Sequence, residues 1–147
     1  MTTHHRTTTR IDAPVATVWE VLSDVERMPQ WTPSMRSVRI LSGDGLAIGT
    51  AAEIRQPGMP AMTWTVDQLT PGQHFRWWAR SAGVTTYGEH ALAPTADGGT
   101  EATLAVEQTG PLAWLLGALT MRRTARYVDQ ELAGLARASE AAARDAG

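Results

Sequence analysis

MTWTVDQLTPGQHFRWWAR, residues 62–80, contains the pattern that decides the fold. Met62, Trp64 and Val66 alternate with polar residues, and a Pro-Gly pair at 71–72 separates this stretch from the next. Alternation with a period of two is typical of strands that bury one face, and a short connection containing Gly is typical of a hairpin. The two halves of the stretch therefore predict adjacent antiparallel strands.

The same period of two continues on both sides of this hairpin. Connections rich in Gly, Pro, Asp and Ser separate the segments at hairpin spacing, which favours an antiparallel sheet of about seven strands. The predicted strands cover residues 3–11, 38–41, 50–56, 62–69, 74–81, 85–92 and 100–108.

Helical segments follow the first strand and the last. Asp12 is expected to be the N-cap of a short helix that reaches about residue 24, and the segment 25–33 adds at most one more helical turn. After Gly110-Pro111, apolar residues recur at helical spacing past residue 140, and the last five or so residues are expected to fray. A second apolar patch predicts that the start of this helix covers a cavity: Leu112, Leu115, Leu116 and Leu119.

Composition and charge exclude several classes of function. The 147 residues carry 13 Lys and Arg against 15 Asp and Glu, so a net charge of −2 gives no electrostatic surface for nucleic acid or anionic lipid. There is no cysteine and there are only four histidines, so we expect neither a metal site nor a cofactor. The sequence has no apolar leader and no spanning stretch, which predicts a cytoplasmic protein without a membrane span.

The order and spacing of several short motifs resemble those of the helix-grip domains of the START and polyketide cyclase superfamily (SRPBCC), in particular its polyketide cyclase/dehydrase-like branch. The resemblance covers almost the whole chain. The residues that carry it are IDAPV at 11–15, VWEVLSD at 18–24, WTP at 31–33, GT at 99–100, and Glu131, Leu132 and Leu135 on the final helix.

The resemblance implies an α+β fold in one domain spanning residues 1–147, with a curved antiparallel sheet wrapped around the long C-terminal helix. It also implies a cavity between the two, which in this superfamily binds lipids, sterols, polyketides, hormones or hydrophobic cofactors. Members of the superfamily include carriers, receptors, cyclases and dehydratases, and a fold by itself does not choose among these activities.

Strand alternation assigns side chains to the inner face of the sheet. Leu92 is expected to point inward before the turn at Pro94, which places His90 on the same inner face unless a bulge shifts the register. The ligand-binding wall is predicted to combine aromatic, aliphatic and thioether side chains with this histidine: Met28, Trp31, Met59, Trp64, Val66, Phe75, Trp77, His90, Leu104, Leu115 and Leu119.

His90 is the candidate for chemistry in this wall. It is expected to be a satisfied structural histidine, a polar contact for a ligand carbonyl or hydroxyl, or a general base. The sequence does not identify a second catalytic group. Arg122 and Arg123 are either solvated charges on the final helix or contacts for an anionic ligand head.

The sequence is compatible with three functions. The first is binding of a hydrophobic small molecule of polyketide, lipid or aromatic type. The second is a polyketide cyclase or aromatase that uses His90 as an acid–base group, which requires at least two convergent polar groups in the cavity. The third is an interaction module that forms a homodimer through Trp78 and the leucine-rich helix start, with a filled cavity.

Overall fold

The computed structural model describes residues 3–146, apart from the side chains at 116–119, and its elements follow the predicted order. The elements are β1 (Thr3–Ile11), α1 (Val15–Ser23), a 3-10 helix (Val25–Gln30), β2 (Ser37–Ile40), β3 (Ala51–Arg55), β4 (Met62–Thr70), β5 (His74–Ser81), β6 (Val84–Pro94), β7 (Thr100–Thr109), a π-helical turn (Ala113–Gly117) and α2 (Ala118–Ala146). Fraying of the last residues stays a prediction.

All seven strands belong to one antiparallel sheet in the order β1-β7-β6-β5-β4-β3-β2. The N-terminal strand returns to pair with the last strand, so β1 and β2 form the two edges. A bulge between Val66 and Gln68 shifts the register of β4 against β5, and such a bulge bends a strand and increases its twist. The predicted α+β fold, with a seven-stranded sheet and a long C-terminal helix, is confirmed.

The core lies between one face of the sheet and the helices. Phe75, Leu92 and Leu104 belong to the same buried cluster as Leu132 and Leu135 of α2. Burial of each such side chain contributes about 1.5–3 kcal/mol to folding, so the alternation in the strands and the stripe on α2 together hold the helix on the sheet.

The segment between β1 and β2 closes one end of this core. Pro14, with extended backbone angles, is the N-cap of α1, so the predicted cap at Asp12 is wrong. The backbone N–H of Asp12 instead donates a hydrogen bond to Glu140 of α2 at 2.9 Å. Farther along, the Trp31 backbone approaches α2 so closely that a Cβ atom at Gly134 would overlap the Trp31 carbonyl oxygen.

The start of the last helix differs from the prediction. Residues 113–117 form a π-helical turn, in which i→i+5 hydrogen bonds change the angular position of each following residue. Leu112 and Leu115 are 43% and 44% exposed, although the periodicity predicted that they belong to a patch that covers a cavity, and Trp114 between them is 55% exposed. A uniform period of 3.6 residues therefore describes α2 but not the turn before it.

Candidate functional site

A cavity of about 260 Å³ lies between the inner face of the sheet and the middle of α2. Strands β3 to β7 supply one wall, and the loop from β3 to β4 contributes Gln56, Met59 and Pro60. The contribution of α2 comes from one helical face, whose members recur every three or four residues: Thr120, Arg123, Thr124, Tyr127, Val128 and Glu131. The position is typical of a small-molecule site, and the volume lies just below the range of about 300–1,000 Å³ in which most such sites fall.

Aromatic rings form the floor of this cavity. Trp64 and Trp77 both line it, and their ring centroids lie 6.1 Å apart. Phe75 lies behind His90, whose ring stacks on it with 4.0 Å between centroids and 8° between planes, while Trp77 meets the His90 ring edge-on at 5.6 Å. His90 is thus held in one orientation by rings on two sides.

Gly88 permits this arrangement of Trp77. The two residues are paired across β5 and β6, and a Cβ atom at position 88 would lie only 3.0 Å from the Trp77 indole nitrogen. A real Cβ at that distance would require the indole to shift. The absence of a side chain at Gly88 therefore leaves the space that the indole occupies beside the cavity.

His90 and Glu131 form a buried polar pair in the cavity wall. His90 Nε2 lies 3.1 Å from Glu131 Oε2, with 3% of the histidine and 8% of the glutamate exposed. His90 Nδ1 is buried and has no hydrogen-bond partner within the described contacts. An ionisable group is seldom buried unless it is paired, and both of these line the cavity, so the pair is the strongest candidate for a functional polar site.

Two side chains of α2 bind the loop from β3 to β4 where it borders the cavity. The Nη1 atom of Arg123 donates a hydrogen bond to the Gly58 carbonyl at 3.2 Å, and the Tyr127 hydroxyl donates one to the Pro57 carbonyl. The Nε atom of Arg123 is buried and has no hydrogen-bond partner within the described contacts. Arg123 thus lines the cavity at a point about two helical turns before Glu131.

The residues predicted to form the ligand-binding wall divide into three groups: some line the cavity, some belong to the core, and some lie elsewhere. Those that line the cavity are Met59, Trp64, Trp77, His90 and Leu104. Met28, Val66 and Phe75 are buried in the core and do not contact the cavity, Phe75 because the His90 ring covers it.

The other three predicted wall residues do not contribute to the described cavity. Trp31 borders a separate surface groove beside Gly134 and Arg137, because its loop packs against a later turn of α2. Leu115 is exposed because the π-helical turn changes its direction, which corrects its predicted place in the wall. The Leu119 side chain lies outside the described residues.

Sequence reasoning raised Arg123 as one of two alternatives, a solvated charge or a ligand contact, and it missed the other polar residues of α2 that line the cavity, Tyr127 and Glu131 among them. Glu131 lies directly beside Leu132 of the predicted apolar stripe, and Arg123 and Tyr127 lie on the same helical face as Val128. Glu131 lies three residues after Val128, a spacing that places the two side chains on one helical face, but this spacing does not identify the residue on the sheet that Glu131 contacts.

Neither a metal site nor a membrane span is evident in the part of the chain that the structure describes. Residues 3–146 bring together no group of three or more His, Cys, Asp or Glu side chains that could hold a metal ion. Within the same residues, no helix is both long enough and apolar enough to cross a membrane.

The sheet order, the long C-terminal helix and the cavity between them define a helix-grip protein. A family model described as "Polyketide cyclase / dehydrase and lipid transport" matches residues 2–140. The chain belongs to this family, which confirms the resemblance found in the sequence.

Two further comparisons agree with the family. "Abscisic acid receptor PYL6" of Arabidopsis thaliana is 36% identical over 52 residues, which amount to 35% of this chain and 24% of the receptor. The match thus spans about a quarter of that receptor's length. The structure titled "Crystal structure of Ara h 8.0201" superposes with a TM-score of 0.72 over 99% of both chains at 16% identity, which shows the shared fold.

Proposed function

We propose that this chain is one ligand-binding domain that holds an apolar small molecule, of polyketide, lipid or aromatic type, between the sheet and α2. The observation that carries the proposal is the cavity of about 260 Å³, in which the indoles of Trp64 and Trp77 lie beside the His90–Glu131 pair. Membership in a family described by lipid transport and polyketide cyclisation supports the same function.

The wall explains which kind of molecule would bind. Transfer of apolar surface from water to the indole rings contributes about 25 cal/mol per Å², so shape and apolar area supply most of the affinity. A carboxylate has about four lone-pair sites, so Glu131 can hold His90 and also accept a hydrogen bond from a ligand hydroxyl or amide. The ligand would therefore be largely apolar with one polar group placed at the pair.

Calorimetric titration with the amide of β-naphthoic acid tests this function. Val128 lines the cavity, so Val128→Trp fills it and is expected to weaken binding at least about tenfold. Ala133 is exposed on the same helix, so Ala133→Trp is the matched control and should bind as the wild type does. Leu104→Trp fills the cavity from the opposite wall and gives a second, independent variant. Equal affinity in all four proteins would contradict binding in the cavity.

An enzymatic function is the second candidate, and the His90–Glu131 pair favours it. The sequence alone identified one polar group in the cavity, whereas two converge there, as acid–base catalysis requires. In a dehydration, a base removes the Cα proton of a β-hydroxy ketone, the electron pair of that C–H bond forms the Cα–Cβ double bond, and the Cβ–O bond breaks. The hydroxyl leaves as water with the proton that the protonated base returns to it. His90, oriented by Glu131, would be the base.

The aldol adduct of benzaldehyde and acetophenone is a suitable probe, since its dehydration gives chalcone, which absorbs strongly. If His90 is the base, His90→Ala should lower the rate by about 10²–10⁴ and leave affinity almost unchanged. If His90 only anchors the ligand, the same substitution should weaken binding by about 0.5–1.5 kcal/mol. Absence of chalcone formation above the background rate would contradict this activity for the probe.

The interaction module has weaker support. It predicted a filled interior and an apolar outer surface at Trp78 and the helix start. Leu112, Trp114 and Leu115 are exposed as it requires, but Trp78 is half-buried and the interior contains a cavity. Homodimer formation stays a prediction.

A further inference from the structure

We infer that the ligand carries an anionic group, of the carboxylate class, which binds the guanidinium group of Arg123. The inference rests on the proposed function and adds to it the chemistry and the orientation of the ligand. It assigns two ends to the cavity, a cationic end at Arg123 and an end at the His90–Glu131 pair.

The charge of Arg123 has no counter-ion among the ion pairs of the described residues. Arg123 lines the cavity, and its guanidinium group makes one described hydrogen bond, from Nη1 to the neutral Gly58 carbonyl. The buried Nε atom makes no hydrogen bond within the described contacts. A cation that is partly removed from water without an anionic partner is costly, and a ligand carboxylate in the cavity would remove that cost.

The geometry of the side chain favours an anion with two oxygen atoms, such as a carboxylate, over a single carbonyl or hydroxyl oxygen. An arginine presents its N–H groups as a planar fork that binds two carboxylate oxygens at once, and Nη1 is the only atom of the fork with a described bond. Arg122 and Arg126 lie on the same part of α2, but both are exposed, so water and salt screen their charges from this end.

The distance between the two ends sets the orientation of the ligand. Arg123 and Glu131 are eight residues apart on α2, which corresponds to about 12 Å along the helix axis. The Glu131 carboxylate would repel an anionic group, whereas it would accept a hydrogen bond from a hydroxyl. The ligand is therefore expected to carry a carboxylate at one end, an apolar body against the indoles, and an uncharged polar group at the other end.

A purely structural role for Arg123 is the competing explanation, since its hydrogen bond to Gly58 holds the loop that borders the cavity. The two roles predict different measurements. Loss of a structural contact would change stability and would weaken all ligands alike. Loss of an anion contact would weaken an acid specifically and would leave its neutral amide bound as before.

The experiment compares β-naphthoate with its amide, which has the same shape without the charge, by calorimetry on the full chain. A charge-assisted contact predicts that the wild type binds the acid at least about tenfold more tightly than the amide. Arg123→Gln should abolish this preference, and Arg123→Lys, which keeps the charge but not the fork, should retain part of it. Arg122→Gln removes the same charge from an exposed neighbour and should leave the preference unchanged.

The outcomes separate this inference from the proposed function. If the amide binds but the acid has no advantage, or if the advantage survives Arg123→Gln, the anion site is wrong and the apolar cavity stands. If neither compound binds, the proposed function fails for this class of molecule and the anion site fails with it. The preference is the ratio of the acid and amide affinities measured on the same variant. A general loss of stability that weakens both compounds equally therefore leaves this ratio unchanged.

Discussion

His90 and Glu131 are 41 positions apart in the chain. Within the described contacts, neither side chain has a second hydrogen-bond or ion-pair partner. Strand alternation from Leu92 predicted the inward direction of His90, because a period of two admits only two faces. The partner was not predictable in the same way. Glu131 lies on a helix whose rotation against the sheet depends on packing across the whole core, and no local pattern encodes that rotation.

The hydrogen bond between these residues should be measurable in the stability of the fold. Glu131→Ala leaves a buried imidazole with neither ring nitrogen paired, which costs about 1–3 kcal/mol in the free energy of unfolding. Glu131→Gln retains a hydrogen-bonding side chain and should cost less. Urea unfolding measures both, with Glu107→Ala at an exposed position of β7 as the control. Equal losses for all three variants would refute a stabilising role of the pair.

The contact between Gly88 and Trp77 leads to a second prediction, the effect of a single substitution on stability. Gly88→Ala would force the Trp77 indole to shift, since the new Cβ would lie 3.0 Å from its nitrogen, and such overpacking costs about 1–3 kcal/mol. Gly45→Ala is the control, because a Cβ there meets no atom within 4 Å. Thermal unfolding compares the two. A stability of Gly88→Ala no lower than that of Gly45→Ala would show that the indole has room to move.

Among the secondary-structure elements, α2 contributes most to the site, because it supplies polar side chains to the cavity and apolar ones to the core. Its apolar stripe was predictable from spacing, and Leu132 and Leu135 are buried as that spacing requires. The exposure of Leu115 was not predictable, since the π-helical turn at Ala113–Gly117 leaves no clear mark in a leucine-rich segment. Periodicity is informative only while the helix type stays constant.

The position of α2 depends on the close approach of Trp31 to Gly134. Alanine is a better helix former than glycine by about 1 kcal/mol, but a Cβ at position 134 would overlap the Trp31 carbonyl oxygen. Gly134→Ala should therefore destabilise the fold by about 1–3 kcal/mol instead of stabilising it. Ala133→Gly, at the adjacent exposed position, should cost only the propensity difference. Unfolding in guanidinium chloride measures the free energy of unfolding of both variants. A lower value for Gly134→Ala than for the wild type indicates the clash, and a higher value would indicate that helix propensity dominates.

The turn between β6 and β7 should contribute a pH-dependent term to stability. Hydrogen bonds from the Thr95 hydroxyl and the Arg10 guanidinium lower the pKa of Asp97 from 3.8 to about 2. A carboxyl group with a lowered pKa in the folded state stabilises the fold above pH 3.8, and this contribution is lost as the pH falls toward 2. Asp97→Asn should thus lower the melting temperature at neutral pH and have little effect near pH 2. Circular dichroism at both pH values measures this difference, and an equal effect at both would contradict it.

For the whole molecule, the sequence predicted the fold more completely than the site. The strands, their hairpin connections and the helix positions follow from local periods and from turn residues such as Gly72 and Gly98, both of which adopt positive φ angles. The pairing of β1 with β7 is long-range and was not predicted. The residues that line a cavity depend on how far the helix lies from the sheet at each turn. This explains why Trp64 and Trp77 were found from alternation, whereas Met28 and Val66 proved to be core residues.

The most direct test of the central claim is a crystal structure of the chain with the amide of β-naphthoic acid. We expect electron density for the naphthyl rings between Trp64 and Trp77 and the inner face of α2, with the amide within hydrogen-bond distance of Glu131 or His90. Density only against the exposed Trp114 and Leu115, with the cavity unoccupied at saturating concentration, would contradict ligand binding between the sheet and the helix.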